Sequence, residues 1–502
     1  MIGKVKLRIL DEVSCIFVGL HGDHITKLYE QFGVHVPGYF FQPLFKLGRW
    51  DGKVRYFQNT GKTYIYLLEQ ILPKVKNWGY QVEIEDLRTV SVVYPDPIDV
   101  NLFSHINHAE TGKPTVLREH QAEAVNALIN NGHGVVIAAT GAGKTILCAS
   151  LCHVYGQHGI KTITIVPSQD LIKQTKADYI TYLGAENVGE YSGTKKDTDK
   201  QHVVSTWQAL KNNPKIVQMF QMVIVDECHG LKGAQLSKIL TDHCSKIPYR
   251  FGVTGTLPKE PADQLAVNVA VGDVKYTVNA ADLIDKGILS RLHINVLQME
   301  EDLEAEYKQF CANEVGFGEK PPTYIQFKDG YFPDFTAEKN YLQKNTDRID
   351  WIATLIEQKR DERKGNVLCL VDNIAFGRKL AKLIEGAIFV NGQDVKQKDR
   401  KGIYDMFKDK DDLVVIATVH IAGTGLSINR IFNLFLVDAG KSFIRVIQAI
   451  GRGLRMANDK DFVNVYDICS DLKYSKRHTT ERLAFYREAH YPHKKHKVKY
   501  GG

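Results

Sequence analysis

The sequence predicts an α/β chain, with two parallel sheets in tandem behind a smaller α+β domain. Two observations carry that prediction. From about Leu117 to Leu292, short apolar runs (GVVIAAT, KTITIVP, QHVVST, QMVIVD, RFGVTGT) alternate with amphipathic helical segments. The alternation returns from Asp347 onward in NVLCLVD, GAIFVNG, DLVVIAT, NLFLVD and FVNVYDI. Short continuous apolar runs alternating with helices are the pattern of strands covered on both faces, as in parallel sheets built from βαβ units. A third observation agrees: 502 residues are too many for one hydrophobic core.

The elements divide the chain into five stretches. Residues 1–110 mix β-rich runs with one helical segment near His24 to Phe32 and close on the proline-bearing linker YPDPIDV. Residues 111–292 hold the first sheet and residues 346–470 the second. Between them, residues 293–345 break the pattern with an acidic helix-like piece (MEEDLEAEYKQF) and the stretch GFGEKPPTYIQFKDGYFPDF, which reads as an insertion or interdomain arm. Residues 471–502 read as a helix and a basic tail. In that tail Lys494, Lys495, Lys497 and Lys499 suit a solvated segment better than a phosphate contact.

Composition excludes several classes. A hydrophobic share of 44% and a charged share of 25% are those of an ordinary globular protein, and a net charge of +7 does not by itself announce a nucleic-acid partner. The eight cysteines form no C-x-x-C pair and no zinc spacing, and most sit among apolar residues, as small buried hydrophobes do in a reducing compartment. No apolar run approaches the ~20 residues of a membrane span. The start, MIGKVKLRIL, lacks the apolar core and cleavage site of a signal peptide. A cytoplasmic protein is expected.

The strongest motif is GVVIAATGAGKTILCASL. A strand ends at Ala139, a glycine-bearing turn follows over Thr140, Gly141, Ala142 and Gly143, and a helix opens at Lys144. Successive backbone N–H groups and a helix N-terminus can surround a phosphate there, and glycines admit the close approach. Lys144 would reach the β- and γ-phosphates of a nucleotide, and the Thr145 hydroxyl would hold Mg²⁺. In QMVIVDECHG a strand runs into Asp226, Glu227, Cys228 and His229. A carboxylate at a strand's carboxyl end lies at the ligand-binding edge of such a sheet. Asp226 would hold the metal and Glu227 would polarise the attacking water.

In this order the two motifs resemble those of superfamily 2 helicases of the DExH kind, and the resemblance extends from about Leu117 to Asp467. It implies tandem RecA-like domains using ATP and Mg²⁺. Arg118 and Gln121 in LREHQ are similar to the adenine-contacting motif. Pro167, Ser168 and Gln174 in IVPSQDLIKQ, Ser192 and Gly193 in YSG, and Ser205 and Thr206 in STWQ resemble strand-contacting motifs. His229, with Thr254 and Thr256 of VTGT, resembles the elements that couple hydrolysis to domain movement. The second sheet carries VIATVHIAGTGLSI, with Thr418, Thr424 and Gly425, and QAIGRGLR, with Gln448, Arg452 and Arg455. The two arginines lie three apart on one helix face and would act as finger residues toward the γ-phosphate. One departure stands out: GLS places Ser427 where many members carry an acidic residue that touches the ribose.

The whole chain, including the GRWDGKVRYF segment, resembles phage recombination and repair helicases. That likeness implies a DNA helicase or translocase acting on branched structures (forks, Holliday junctions, displacement loops and R-loops) in recombination, repair and replication, within the host cytoplasm. An RNA helicase, or a DNA-annealing protein holding nucleotide as a structural ligand, stays open on the motifs. Outside the motor, aromatic and basic residues interleave from Tyr39 to Phe57. There Lys46, Arg49, Lys53 and Arg55 suit phosphates, the rings serve a small core as readily as exposed bases, and WDGK reads as a hairpin tip.

Overall fold

The structure is a computed structural model. It describes residues 3–89, 92–108, 112–232, 234–258, 260–315, 320–363, 365–392, 406, 410–419, 430–440, 460 and 462–500. The chain divides into two compact units, Met1–Val278 and Asn279–Gly502.

The first unit opens with six strands: β1 (Gly3–Ile9), β2 (Ser14–Val18), β3 (Gly33–His35), β4 (Lys53–Arg55), β5 (Lys62–Tyr64) and β6 (Tyr80–Asp86). Four make a mixed sheet in the order β5-β2-β1-β6, in which only β1 and β6 run parallel, while β3 and β4 form a separate antiparallel ribbon. The expected helix is present as Gly22–Gln31. A second helix, Leu68–Asn77, escapes sequence reading because Pro73 lies inside it, yet its buried Ile71 and Val75 face the sheet's core.

This small domain is fastened to the rest of the first unit. Val269 and Leu265, from helix Pro261–Val271, pack in its core, and the Tyr56 hydroxyl donates to the Ala262 carbonyl at 3.1 Å. The segment read as a linker is pinned as well. Asn126 exchanges two hydrogen bonds with the Ile98 backbone, at 2.8 and 2.9 Å, and Phe103 is fully buried.

The first parallel sheet comprises β7 (His133–Ala138), β8 (Thr162–Val166), β9 (Val188–Tyr191), β10 (His202–Thr206), β11 (Met222–Asp226), β12 (Tyr249–Thr254) and β13 (Val274–Val278), in the order β13-β7-β12-β11-β8-β10-β9. Every neighbouring pair is parallel. All residues of β8, β10 and β12 are buried, polar ones such as Thr164, His202 and Arg250 included, as in a sheet covered on both faces.

The second unit holds β14 (Arg291–Met299), β15 (Val367–Val371), β16 (Ile388–Val390), β17 (Val414–Thr418), β18 (Asn433–Val437), β19 (Phe462–Ser470) and β20 (His493–Val498), in the order β16-β17-β15-β18-β19-β14-β20. This sheet is also parallel throughout.

Two readings from sequence need correction here. The boundary at residue 292 falls inside β14, and β14 pairs along its whole length with β19, so residues 293–299 belong to the second sheet rather than to an insertion. The basic tail is not a solvated end. After helix Lys473–Glu488 it forms β20, paired with β14 from Ile294 to Met299. Its lysines suit its position, because charged side chains on an outer strand discourage further strands from adding.

Between β14 and β15, helices Glu304–Asn313, Tyr324–Gly330 and Phe335–Lys344 gather around Leu303, Phe327, Phe332, Leu342 and Leu472. Seven of the eight cysteines are buried and none is bonded to another. Among the described residues no helix is long and apolar enough to cross a membrane.

Candidate nucleotide site and nucleic-acid surface

The phosphate loop, DECH and VTGT motifs lie at the carboxyl ends of strands of the first sheet. The turn Thr140–Gly143 follows β7, Asp226 ends β11, and Thr254 ends the strand between them, β12. Gly141 and Gly143 take φ values of 91° and 92°, in the left-handed region that favours glycine. A Cβ on Gly143 would stand 2.3 Å from the Gln121 amide nitrogen, so the turn closes against that side chain.

Gln121 is buried. Its Oε1 accepts from the Arg118 N–H at 2.9 Å, and its amide donates to the Ala142 carbonyl at 2.8 Å. Arg118 donates from its guanidinium to the Gly141 carbonyl at 3.2 Å. A residue that sequence reading missed, His120, places its Nε2 3.1 Å from the Ala142 carbonyl. The motif before the phosphate loop thus braces the loop's backbone. Lys144 and Thr145 open the helix Lys144–Gly156.

The charges of the two motifs meet. Lys144 Nζ donates to Glu227 Oε1 at 2.6 Å, a charge-assisted bond between two largely buried groups. Burial works against ionisation of Glu227, but the neighbouring Lys144 and His229 outweigh it and hold its pKa well below the usual carboxylate range. Burial, then the Glu227 charge, push Asp226 the other way, to about 6. Lys144 remains firmly cationic, because the two carboxylates outweigh its own burial. Glu227 has a φ of 51°, rare for a residue with a side chain, and its backbone N–H donates to Asp226 Oδ1 at 2.9 Å.

From Glu227 the contacts run to the VTGT strand end. His229 Nδ1 lies 3.3 Å from Glu227 Oε2 and 3.0 Å from Thr254 Oγ1. The Thr254 hydroxyl donates its own proton to the Thr256 carbonyl at 2.8 Å. It must therefore accept from His229, which fixes the proton on Nδ1. Glu227 Oε2 is left buried without a hydrogen bond. Gly255 lies beside Lys144, where a Cβ would come 3.6 Å from Nζ.

The residues fit a divalent cation. Asp226 and Thr145 offer hard oxygen donors, and a nearby positive charge would relieve the buried carboxylate whose pKa is raised. Among the described residues no cluster of three or more His, Cys, Asp or Glu could hold a metal alone.

Several strand-contact candidates have their hydroxyls engaged internally. Ser205 donates to the Tyr191 carbonyl at 2.7 Å, inside the sheet. Ser168 and Thr206 accept from the backbone N–H groups of Leu171 and Ala209, both at 3.4 Å, as caps of the helices Gln169–Leu183 and Trp207–Asn212. Ser192 is buried in a turn, accepting from the Lys195 N–H at 3.3 Å. Pro167 and Gly193 are exposed, and Thr418 is buried at the end of β17. Thr424, Gly425, Ser427, Gln448, Arg452 and Arg455 lie outside the described residues.

In the N-terminal domain the four basic candidates separate into two pairs. Lys46 and Arg49 are exposed. Arg55 is bound by Asp51 at 2.5 Å, lies 3.5 Å from Glu30 and covers the Tyr29 ring at 4.5 Å, while Lys53 sits 3.4 Å from Glu30. Arg55 is thus held in an ion pair within its own domain, where a DNA phosphate would compete with Asp51 and Glu30. WDGK is not a hairpin tip, since β4 pairs with β3, across the intervening Val36–Gly52 loop.

A parallel sheet with a phosphate loop, a DECH strand end and a VTGT link between them defines a nucleotide-hydrolysing motor domain. Three family signatures match the chain: "DNA helicase UvsW, N-terminal" over residues 4–85, "Type III restriction enzyme, res subunit" over 115–259, and "Helicase conserved C-terminal domain" over 347–457. The chain belongs to the superfamily 2 helicases and carries a UvsW-type N-terminal domain, so its motor is that of an ATP-dependent helicase.

In particular, it is 24% identical over 458 residues to the ATP-dependent DNA helicase uvsW of Enterobacteria phage T4, covering 88% of this chain and 86% of that one. It is 27% identical over 205 residues to the DNA 3'-5' translocase XPB2 of Sulfurisphaera tokodaii, covering 39% of this chain and 45% of that one. Among solved structures, the ATP-dependent Type ISP restriction-modification enzyme LlaBIII bound to DNA shares the fold. Its TM-score is 0.56 at 13% identity, covering 87% of this chain and 36% of that one.

Proposed function

We propose that this protein is an ATP-driven DNA motor that remodels branched DNA: forks, four-way junctions, displacement loops and R-loops. The observation that supports the reading best is the chain of contacts from Lys144 through Glu227 and His229 to Thr254. A protein that held nucleotide only as a structural ligand would have no use for a glutamate poised beside the phosphate loop and linked to a second strand end. The UvsW-type N-terminal domain and the likeness to a phage DNA helicase favour DNA over RNA.

In this mechanism the N–H groups of Gly141 to Thr145 and the Lys144 ammonium bind the β- and γ-phosphates. Phosphates arriving on Lys144 compete for the ammonium that Glu227 now holds, and Glu227 is released to orient the attacking water and accept its proton. Asp226 and Thr145 would hold Mg²⁺, which supplies charge neutralisation on the phosphates when bound. A change at Glu227 alters the acceptor beside the His229 ring, and His229 hands the change to Thr254 and the backbone of Thr256. Arg452 and Arg455 are proposed as fingers completing the site.

The test is a panel of ATP turnover and strand-separation assays with single strands, forks, four-way junctions, R-loops and matched RNA. Turnover stimulated by DNA, with branched substrates remodelled fastest, is the expected result. Stimulation by RNA alone would overturn the DNA assignment.

A further inference from the structure

The Val36–Gly52 loop between β3 and β4 exposes more apolar surface than its own fold requires. Its inner rings are packed, with Tyr39 stacked on His35 at 4.3 Å and meeting Phe45 edge-on at 4.8 Å. Its outer side chains stay open to solvent, with Phe40 resting only against Tyr39 at 5.6 Å and Phe41 at 4.3 Å among the described rings. Phe40, Phe41, Leu44 and Leu47 are 52%, 71%, 55% and 65% exposed, four large apolar groups within eight residues. Single exposed apolar residues are ordinary, whereas a contiguous patch marks an interaction surface.

The loop is also stiff. Tyr39–Phe41 forms a helical turn, Pro43–Lys46 a second, and backbone bonds tie Val36 to Gly52 at 2.9 Å and Arg49 to Leu44 at 2.9 Å. A Cβ on Gly52 would stand 2.3 Å from the Tyr39 ring, so the loop closes tightly on itself. Its base is the ribbon β3–β4, and Tyr56, directly after that ribbon, bonds Ala262 on the helix C-terminal to VTGT.

Charge decides what this patch meets. The nearby acids Glu30 and Asp51 are taken up by Lys53 and Arg55, which leaves Lys46 and Arg49 as exposed cations beside the rings. Flat exposed rings flanked by cations suit bases and their phosphates.

We propose that the Phe40–Leu47 face is a wedge that takes the unpaired bases where duplex DNA opens into single strands, with Phe40 and Phe41 stacking on the bases and Lys46 and Arg49 holding the adjoining phosphates. The assignment rests on the DNA-motor reading and adds the place where strands part. Because the loop stands on the first motor domain, motion at the VTGT strand end reaches it through one helix.

The experiment uses the full chain and a fork carrying 2-aminopurine at the first base pair of the junction. The unaltered chain should bind with a rise in 2-aminopurine fluorescence. The double variant Phe40→Ala, Phe41→Ala should lose that rise, bind the fork roughly tenfold more weakly, and separate it at least about tenfold more slowly. Its ATP turnover on saturating single strands should stay within about twofold of the unaltered chain. Lys46→Ala with Arg49→Ala should lower the salt slope of binding by about two while keeping the fluorescence rise at saturation.

The wedge is overturned if the aromatic variant opens the junction base pair and separates forks as the unaltered chain does. It is also overturned if the only change is loss of a self-associated species in sedimentation, which would make the patch a contact between copies. If DNA does not stimulate turnover by the unaltered chain, the DNA-motor reading itself fails, and that is measured before any variant is made.

Discussion

The two parallel sheets have the same strand number and direction but hold themselves together differently. In the first, the fully buried Arg250 is satisfied without any carboxylate, donating to the carbonyls of Ala270, Cys244 and Leu240 at 2.8, 2.6 and 2.8 Å. The ion pair at its strand ends, Lys144 with Glu227, belongs to the chemistry.

In the second sheet, buried ion pairs join strand ends to one another. Arg348 reaches Asp438 after β18 at 2.6 and 2.9 Å and lies 3.3 Å from Glu301 after β14. Arg482 forks onto Asp467 in β19 with two contacts of 2.9 Å, and Lys328 binds Asp471 after β19 at 2.8 Å. The Tyr500 hydroxyl, beyond β20, donates to Glu301. The first sheet is built from consecutive chain and needs no such fastening. The second recruits β14 and β20 from outside the βαβ alternation, and the pairs fix which strand ends lie together. Buried pairs of this kind add little net stability against apolar replacements, but they are costly to break singly.

The largest expected effect breaks the chemistry of the first sheet. Lys144→Ala and Glu227→Gln should each lower ATP turnover on the order of 10³-fold or more. They should differ in binding, since Lys144→Ala loses phosphate affinity and Glu227→Gln keeps it; fluorescent-nucleotide titration reads the difference. Normal turnover in either variant would remove these residues from the mechanism.

Next in size is the second sheet's network. Arg348→Ala leaves Glu301 and Asp438 facing each other uncompensated, and the second unit should lose about 3–5 kcal/mol in urea unfolding. Combining Arg348→Met with Glu301→Gln and Asp438→Asn should recover much of that loss. Equal losses in the two variants would mean that packing, and not charge, is at stake.

The smallest effect sharpens the comparison from the first sheet's side. Burial, then His153, holds the His202 pKa down to about 4, against about 6.5 in the unfolded chain. The folded state therefore resists a proton that the unfolded state accepts. Stability is full above pH 6.5 and falls as the pH drops toward 4, by up to ~3 kcal/mol. His202→Gln should flatten the melting temperature of the first unit across that window. An unchanged slope would assign the acid sensitivity to other groups, His133 first among them, since burial holds it near 4 as well.

What could be read from sequence tracks burial and backbone geometry. Strands such as β15 and β17 are covered on both faces and so are apolar at nearly every position. The phosphate loop was legible because its geometry demands glycine at 141 and 143. Strand β14 was missed because its burial alternates along RLHINVLQM, and β20 because an outer strand can be lysine-rich. Motif hydroxyls carry two readings for another reason. A serine at a strand's carboxyl end can serve a ligand or cap the next helix, and Ser168 and Thr206 do the latter here. Arg49 and Arg55 look alike in sequence, and only the fold brings Asp51 and Glu30 to Arg55.

The placement of β14 has a consequence for how the chain is made. Its hydrogen-bonding neighbours β19 and β20 are encoded far downstream, and Glu301 and Tyr500, which meet at its end, are 199 residues apart. At a synthesis rate of roughly 5–20 residues per second, β14 leaves the ribosome some 10–40 s before its last neighbour exists. During that interval Leu292, Ile294 and Val296, all buried in the finished sheet, lack the flanking strands that β19 and β20 supply. The first unit can mature while translation continues. The second completes its sheet only after nearly the whole of its chain has been made.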